Sequence, residues 1–170
     1  MIVETPDHST TTALLTDPEV EMVVGTYLNR CRAASRDPRV EQVVIFKNHG
    51  EAAGTSLEHT HSQITGTAVV PSNIRKKLEE AARYYDDHGR CVYCDLIQEE
   101  LRFGERIVMD TEKFVVLHPF ASRFPFETWI VPKAHRPDFH NITEAEAADL
   151  AVGIQSLFHS FFQLRSIFFS

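Results

Sequence analysis

Residues 59, 61 and 63 are His, His and Gln, two imidazoles and a carboxamide at strict two-residue spacing directly after a glycine-containing turn. That spacing constrains the fold more than anything else in the chain. On a β-strand, residues two apart share a face. The alternation predicts a strand whose His59, His61 and Gln63 project toward one ligand, with Ser56 at the loop edge beside them.

An imidazole held beside phosphate-binding groups can attack phosphorus, so the segment reads as a nucleotidyl-transfer site. His61 is the candidate nucleophile, forming a covalent nucleotidyl-histidine. For that chemistry one ring nitrogen must face phosphorus. The other must donate to an acceptor that fixes the tautomer, and a backbone carbonyl would serve. The Gln63 amide can donate to a non-bridging phosphate oxygen. Ser56 and Asn48 can bond phosphate oxygens as well, although Asn48, close before Gly50, also suits a plain turn. Gly50 and Gly54 permit close approach of the backbone to a phosphate.

The rest of the chain reads as elements around this segment. A short strand is expected at 2–5. A helix opens at Asp17-Pro18, with Val20, Val23, Val24, Tyr27, Leu28 and Cys31 as one buried stripe. Residues 41–47 are β-branched and aromatic, hence a strand, and the histidine strand continues toward Val69-Val70. Pro71 marks a seam, followed by a charged helix over 72–87 whose Arg75-Lys76-Lys77 start is solvated. Strands are expected at 106–110, 113–118 and 126–131. Thr143-Glu144-Ala145-Glu146 has the spacing of a capping box. Connections as short as 110–113 exclude crossovers, so the class is α+β with antiparallel strands and flanking helices. The organisation expected is 1–70, a linker helix over 71–90, and 91–170.

Cys91 and Cys94, with two residues between them, form a zinc half-site; reduced core cysteines are the alternative. His135 is a candidate third ligand, whereas His118 and His140 read as surface or structural residues. Cys31 reads as plain core. Three cysteines in this pattern suit a reducing compartment. His8 follows the first strand as His135 follows the last, both after a proline, which hints at an internal duplication. A net charge of −7 without a basic run argues against nucleic-acid binding. Glu4 and Asp7 stand where a signal peptide would need basic and apolar residues, and no apolar run reaches bilayer length. A cytoplasmic protein is therefore expected. Phenylalanines at 158, 161, 162, 168 and 169 are unusual at the end of a soluble domain. They suggest either that more chain covers them or that the end is not the natural one.

Taken together, the segments 3–8, 46–50, 54–63 and 125–135 resemble the galactose-1-phosphate uridylyltransferase family of the histidine-triad superfamily, over roughly residues 1–158. Thr60 replaces a proline often found between the two histidines. The resemblance implies two similar halves, each partial here: residues 1–70 from the end of the first and 85–158 from the start of the second. It implies His61 as nucleophile, with Asn48, Ser56 and Gln63 holding phosphates. It implies zinc sites of two kinds, His8 with His59 and Cys91 with Cys94 and His135, both lacking ligands in this chain. The zinc would be structural, orienting the strand through His59. The activity implied is transfer of UMP from UDP-glucose to galactose 1-phosphate, in a protein that is a homodimer at full length. An ADP-sugar or dinucleotide phosphorylase using the same histidine, and an inactive zinc-binding fragment, remain alternatives.

Overall fold

A computed structural model describes residues 1–55 and 57–168, with 164–168 described by backbone alone. The described residues form an α+β fold with two small antiparallel sheets. By contacts the chain divides into residues 1–69 with 138–170, and residues 70–137. The seam at Pro71 falls beside that division. Contacts thus group residues 138–170 with 1–69, although in sequence they follow 91–137.

The first unit holds β1 (Ile2–Val3), α1 (Asp17–Ala34), β2 (Gln42–Phe46), β3 (His61–Thr67) and, after a gap in sequence, α4 (Glu144–Phe168). The sheet order is β1-β3-β2, which makes the histidine strand central. Val3 pairs with His61 and Phe46 with Gln63. The valine stripe of α1 is buried as expected: Val20, Val24 and Leu28 are each 1% exposed, and Cys31 is core. It packs against α4, which buries Ala147, Leu150, Ala151 and Leu157.

Both helices are capped by the same device. The Thr16 backbone N–H donates to Glu19 at 2.8 Å. The Thr143 N–H donates to Glu146 at 2.7 Å, and the Glu146 N–H returns a bond to the Thr143 hydroxyl at 3.1 Å. Arg32 at the end of α1 bonds the His140 and Ile142 carbonyls at 3.0 and 2.9 Å and Glu144 at 3.0 Å, tying the start of α4 to α1.

The second unit holds α2 (Ser72–His88), α3 (Val92–Phe103), β4 (Ile107–Asp110), β5 (Phe114–Leu117) and β6 (Trp129–Pro132). β5 is central and buried throughout. Its Val115 and Leu117 pack with Ile97 of α3. Helix α3 was not expected from the sequence, where Cys91 and Cys94 stood out only as a metal knuckle. The apolar positions Leu96, Ile97 and Leu101 carry its weak signal.

The structure shifts two further boundaries. β3 begins at His61, so His59 precedes the strand, and it ends at Thr67 rather than at Val70. Among the described residues no helix is long and apolar enough to cross a membrane. Phe158 and Phe162 are each 39% exposed and, with Phe161, line a cavity of about 230 Å³ against Thr11–Ala13, Lys47 and His49. The side chain of Phe168, and all of Phe169, lie outside the described residues.

Candidate active site

The turn between β2 and β3 shapes the site. Gly50 has φ 83° and ψ 158°, and Gly54 has φ 75° and ψ 27°, so both occupy backbone regions that disfavour a side chain. Between them a short 3-10 turn, Glu51–Ala53, folds the chain back so that the Gly50 carbonyl accepts from Ala53 at 3.1 Å and Thr55 at 3.4 Å. The result is a cleft of about 380 Å³ whose walls include Asn48, His49, Gly50, Thr55, His59 and His61.

His61 is 7% exposed and lines this cleft. Its Nδ1 lies 2.8 Å from the His59 carbonyl oxygen. A carbonyl only accepts, so Nδ1 carries the proton and Nε2 keeps the lone pair. This is the arrangement that nucleophilic attack requires, with a carbonyl in the tautomer-fixing role. Gln63 is the next residue on the same face of β3, half-buried opposite Phe46, but it does not line the cleft. Asn48 and Gly50 do, and Gly54 adjoins Thr55. Ser56 lies outside the described residues.

Thr55 adds a group that sequence reasoning missed. Its Oγ1 is buried with no hydrogen-bond partner among the described residues, and the residue lines the cleft. An unpaired buried hydroxyl is costly, and a ligand oxygen would relieve it.

On the opposite face of β3 lies a larger omission. From the sequence, Glu4 counted only as a charge unsuited to a signal peptide. In the structure its side chain is fully buried and gathers five donors. Ser62 and Tyr27 donate to Oε1 at 2.5 and 2.8 Å. Thr12 and Thr60 donate to Oε2 at 2.8 and 3.0 Å, and Lys47 pairs with the same oxygen. Burial alone would raise the carboxyl. Bonds from Lys47 and Ser62, the Lys47 charge and the Tyr27 hydroxyl outweigh it and hold Glu4 at about 2. Burial and the Glu4 charge push the Tyr27 phenol up. One signal was present: Thr60 and Ser62 put hydroxyls where an apolar strand face would be expected, so a polar partner had to lie beneath them.

Two groups of side chains suit metal ligation. His59 Nε2 lies 2.7 Å from the Thr5 carbonyl oxygen, which makes Nε2 the donor and leaves Nδ1 bare. That bare nitrogen is 3.1 Å from His8 Nδ1. Two nitrogens on one tetrahedral zinc stand about 3.3 Å apart, and a direct bond from a protonated His8 Nδ1 fits the spacing equally. In the second unit Cys91, Cys94 and His135 bring their ligand atoms within 4.8 Å of one another, with Cys94 Sγ 3.2 Å from His135 Nδ1. Burial, then Cys91 and Asp95 beside it, push the Cys94 thiol up. His118 instead bonds the Glu127 carbonyl at 3.0 Å, a structural role.

Comparison with known proteins matches residues 1–71 to the N-terminal domain of galactose-1-phosphate uridyl transferase and residues 73–165 to the C-terminal domain. The galactose-1-phosphate uridylyltransferase of Haemophilus influenzae is 33% identical over 157 residues, which cover 92% of this chain and 44% of that protein. The ADP-glucose phosphorylase of Arabidopsis thaliana is 29% identical over 150 residues, covering 88% of this chain and 41% of the relative. A solved uridylyltransferase superposes with a TM-score of 0.85 at 30% identity, covering 90% of this chain and 48% of that one. The Arabidopsis ADP-glucose phosphorylase with bound ADP-glucose gives 0.81 at 28%, covering 92% and 47%. The chain thus spans less than half the length of these relatives.

Proposed function

We propose, for a chain that belongs to the galactose-1-phosphate uridyl transferase family, that His61 is the nucleophile of a nucleotidyl transfer between sugar phosphates. The observation that carries this is the His61 ring in the cleft wall, its Nδ1 proton held by the His59 carbonyl.

In the first step Nε2 attacks the α-phosphorus of a nucleotide sugar such as UDP-glucose. A P–N bond forms, the P–O bond to the distal phosphate breaks, and glucose 1-phosphate leaves. In the second step a phosphate oxygen of galactose 1-phosphate attacks the same phosphorus and the P–N bond breaks. The ring is restored and UDP-galactose leaves. Histidine suits both steps, since it attacks well at neutral pH and leaves well as its conjugate acid. Asn48, Gly50 and Thr55 line the cleft, and in this reading the Asn48 amide, the Gly50 backbone and the Thr55 hydroxyl hold phosphate oxygens. Ser56 and Gln63 complete the set, Gln63 from further along the strand.

Zinc fits both ligand groups by donor chemistry. His8 and His59 offer facing nitrogens, and Cys91, Cys94 and His135 offer two sulfurs and a nitrogen. Its contribution at His59 would be structural, fixing the segment that carries the carbonyl on which His61 rests.

Isotope exchange tests the reading. Labelled glucose 1-phosphate should exchange into UDP-glucose without any acceptor sugar, and His61→Asn should abolish that exchange. Exchange persisting in the variant would remove His61 from the chemistry. The 29% identity to an ADP-glucose phosphorylase favours a second form of the same reading, with adenylyl in place of uridylyl. Offering UDP-glucose and ADP-glucose side by side separates the two.

A further inference from the structure

His61 is flanked in sequence by Thr60 and Ser62, whose side chains leave the strand on the face opposite its own. Both hydroxyls end on one carboxylate. Ser62 Oγ donates to Glu4 Oε1 at 2.5 Å and Thr60 Oγ1 to Glu4 Oε2 at 3.0 Å. Glu4 itself comes from the neighbouring chain segment. β1 pairs Val3 with His61, and the Glu4 N–H donates to the Thr60 carbonyl at 3.3 Å. The carboxylate is in turn fixed by Thr12 at 2.8 Å, by Tyr27 of α1 at 2.8 Å and by Lys47. Tyr27 and Ser62 hydroxyls also lie 2.6 Å apart, and Lys47 Nζ is 2.5 Å from Thr60 Oγ1.

We propose that Glu4 is a positioning residue for His61: one buried carboxylate grips the strand on both sides of the histidine and so fixes the pleat that turns its ring into the cleft.

The geometry supports this over generic core packing. In a pleated strand the direction of residue 61 is set by the directions of 60 and 62. Here both neighbours are tied to two oxygens of one rigid planar group. β3 starts at His61, so the segment before it lacks a full ladder, and the Thr60 side chain is held there by Lys47 and by the Glu4 carboxylate that Lys47 pairs with. The His59 carbonyl that receives the Nδ1 proton lies in that same segment. Loosening Thr60 therefore releases both the ring and the acceptor that sets its tautomer. Glu4 does not line the cleft, so it acts on the ring through its neighbours rather than by touching substrate.

This inference rests on His61 as the reacting residue for its meaning in catalysis, but the positioning itself is observable without turnover. The experiment is nitrogen-15 NMR of the imidazoles in the chain as it stands, in the wild type and in Glu4→Gln, Thr60→Val and Thr60→Ser. Wild type and Thr60→Ser should show His61 as a single tautomer with Nδ1 protonated. Glu4→Gln and Thr60→Val should move the two ring nitrogens toward a common averaged shift while backbone amides away from β1 and β3 keep their positions. Thr60→Val has nearly the shape of threonine, so it carries the test if Glu4→Gln does not fold. A His61 tautomer that is identical in wild type and Thr60→Val, or that Thr60→Ser fails to restore, overturns the proposal. Isotope exchange on the same samples reports separately on the transferase reading: its absence from the wild type, with the tautomer effect intact, would sink the chemistry and leave the positioning standing.

Discussion

His61 Nδ1 and the carbonyl oxygen of His59 are 2.8 Å apart, and that single contact determines which ring nitrogen can act as a nucleophile. The same stretch of chain contributes His59's own ring, whose Nε2 is held by the Thr5 carbonyl at 2.7 Å. Two histidines two residues apart are thus fixed as opposite tautomers, His61 with Nε2 bare and His59 with Nδ1 bare. The bare nitrogen of His61 suits attack on phosphorus, and that of His59 suits a metal.

The first prediction concerns Thr55. Its hydroxyl has no partner among the described residues, so Thr55→Val removes a costly group rather than a bond. Stability measured by urea denaturation should stay within about 1 kcal/mol of wild type or rise. Binding of a nucleotide sugar should weaken about tenfold, the equivalent of one lost hydrogen bond of ~1.4 kcal/mol. Calorimetric titration at constant pH checks the second half. A marked loss of stability with unchanged binding would mean that Thr55 serves the fold alone.

Gly50 sits at φ 83° and ψ 158° with open space where a side chain would go. Gly50→Ala should therefore destabilise through the backbone alone, by about 1–3 kcal/mol. Thermal unfolding reads this. A variant as stable as wild type would show that the turn does not need this conformation.

Acid sensitivity follows from Glu4. Its carboxyl is held at about 2 in the folded chain against an ordinary value of 4.5. A lowered carboxyl contributes stability that is complete above 4.5 and is lost as pH falls through 2. The contribution is on the order of 3 kcal/mol. Denaturation at a series of pH values should show this loss in wild type and a flatter profile over that window in Glu4→Gln. Parallel profiles would mean that the buried carboxylate is not linked to folding.

The cysteine pair makes a separate claim. Zinc competition with a chromophoric chelator should give one tight site that Cys94→Ser weakens by at least the roughly ten- to hundredfold that loss of a mere supporting group costs. His118→Ala should leave that affinity unchanged, because His118 is bonded to the Glu127 carbonyl away from the sulfurs. Equal affinity in wild type and Cys94→Ser would return Cys91 and Cys94 to the status of ordinary reduced thiols.

What the sequence disclosed and what it hid divide along a physical line. Local patterns were legible. The valine stripe of α1, the Thr143–Glu146 capping box and the glycine turn all rest on patterns within a few residues. So did the two-residue alternation that singled out His61. The errors lie where distant residues meet. Glu4 acquires its role from Tyr27, Lys47, Thr60 and Ser62, and no local pattern announces a carboxylate that is buried because its partners come from elsewhere. The packing of α4 on α1 was hidden for the same reason, since the Arg32 that receives its start lies more than a hundred residues away. Gln63 keeps to its strand face as the alternation required. The cleft lining, however, reaches His61 and does not include Gln63.

The most direct test is to trap the intermediate. Incubation with α-labelled UDP-glucose, followed by alkaline quench and peptide mapping, should place label on the peptide bearing His61 as a phosphoramidate, stable in base and released in acid. His61→Asn should carry none. Label on any other residue, or retained in His61→Asn, would contradict the account.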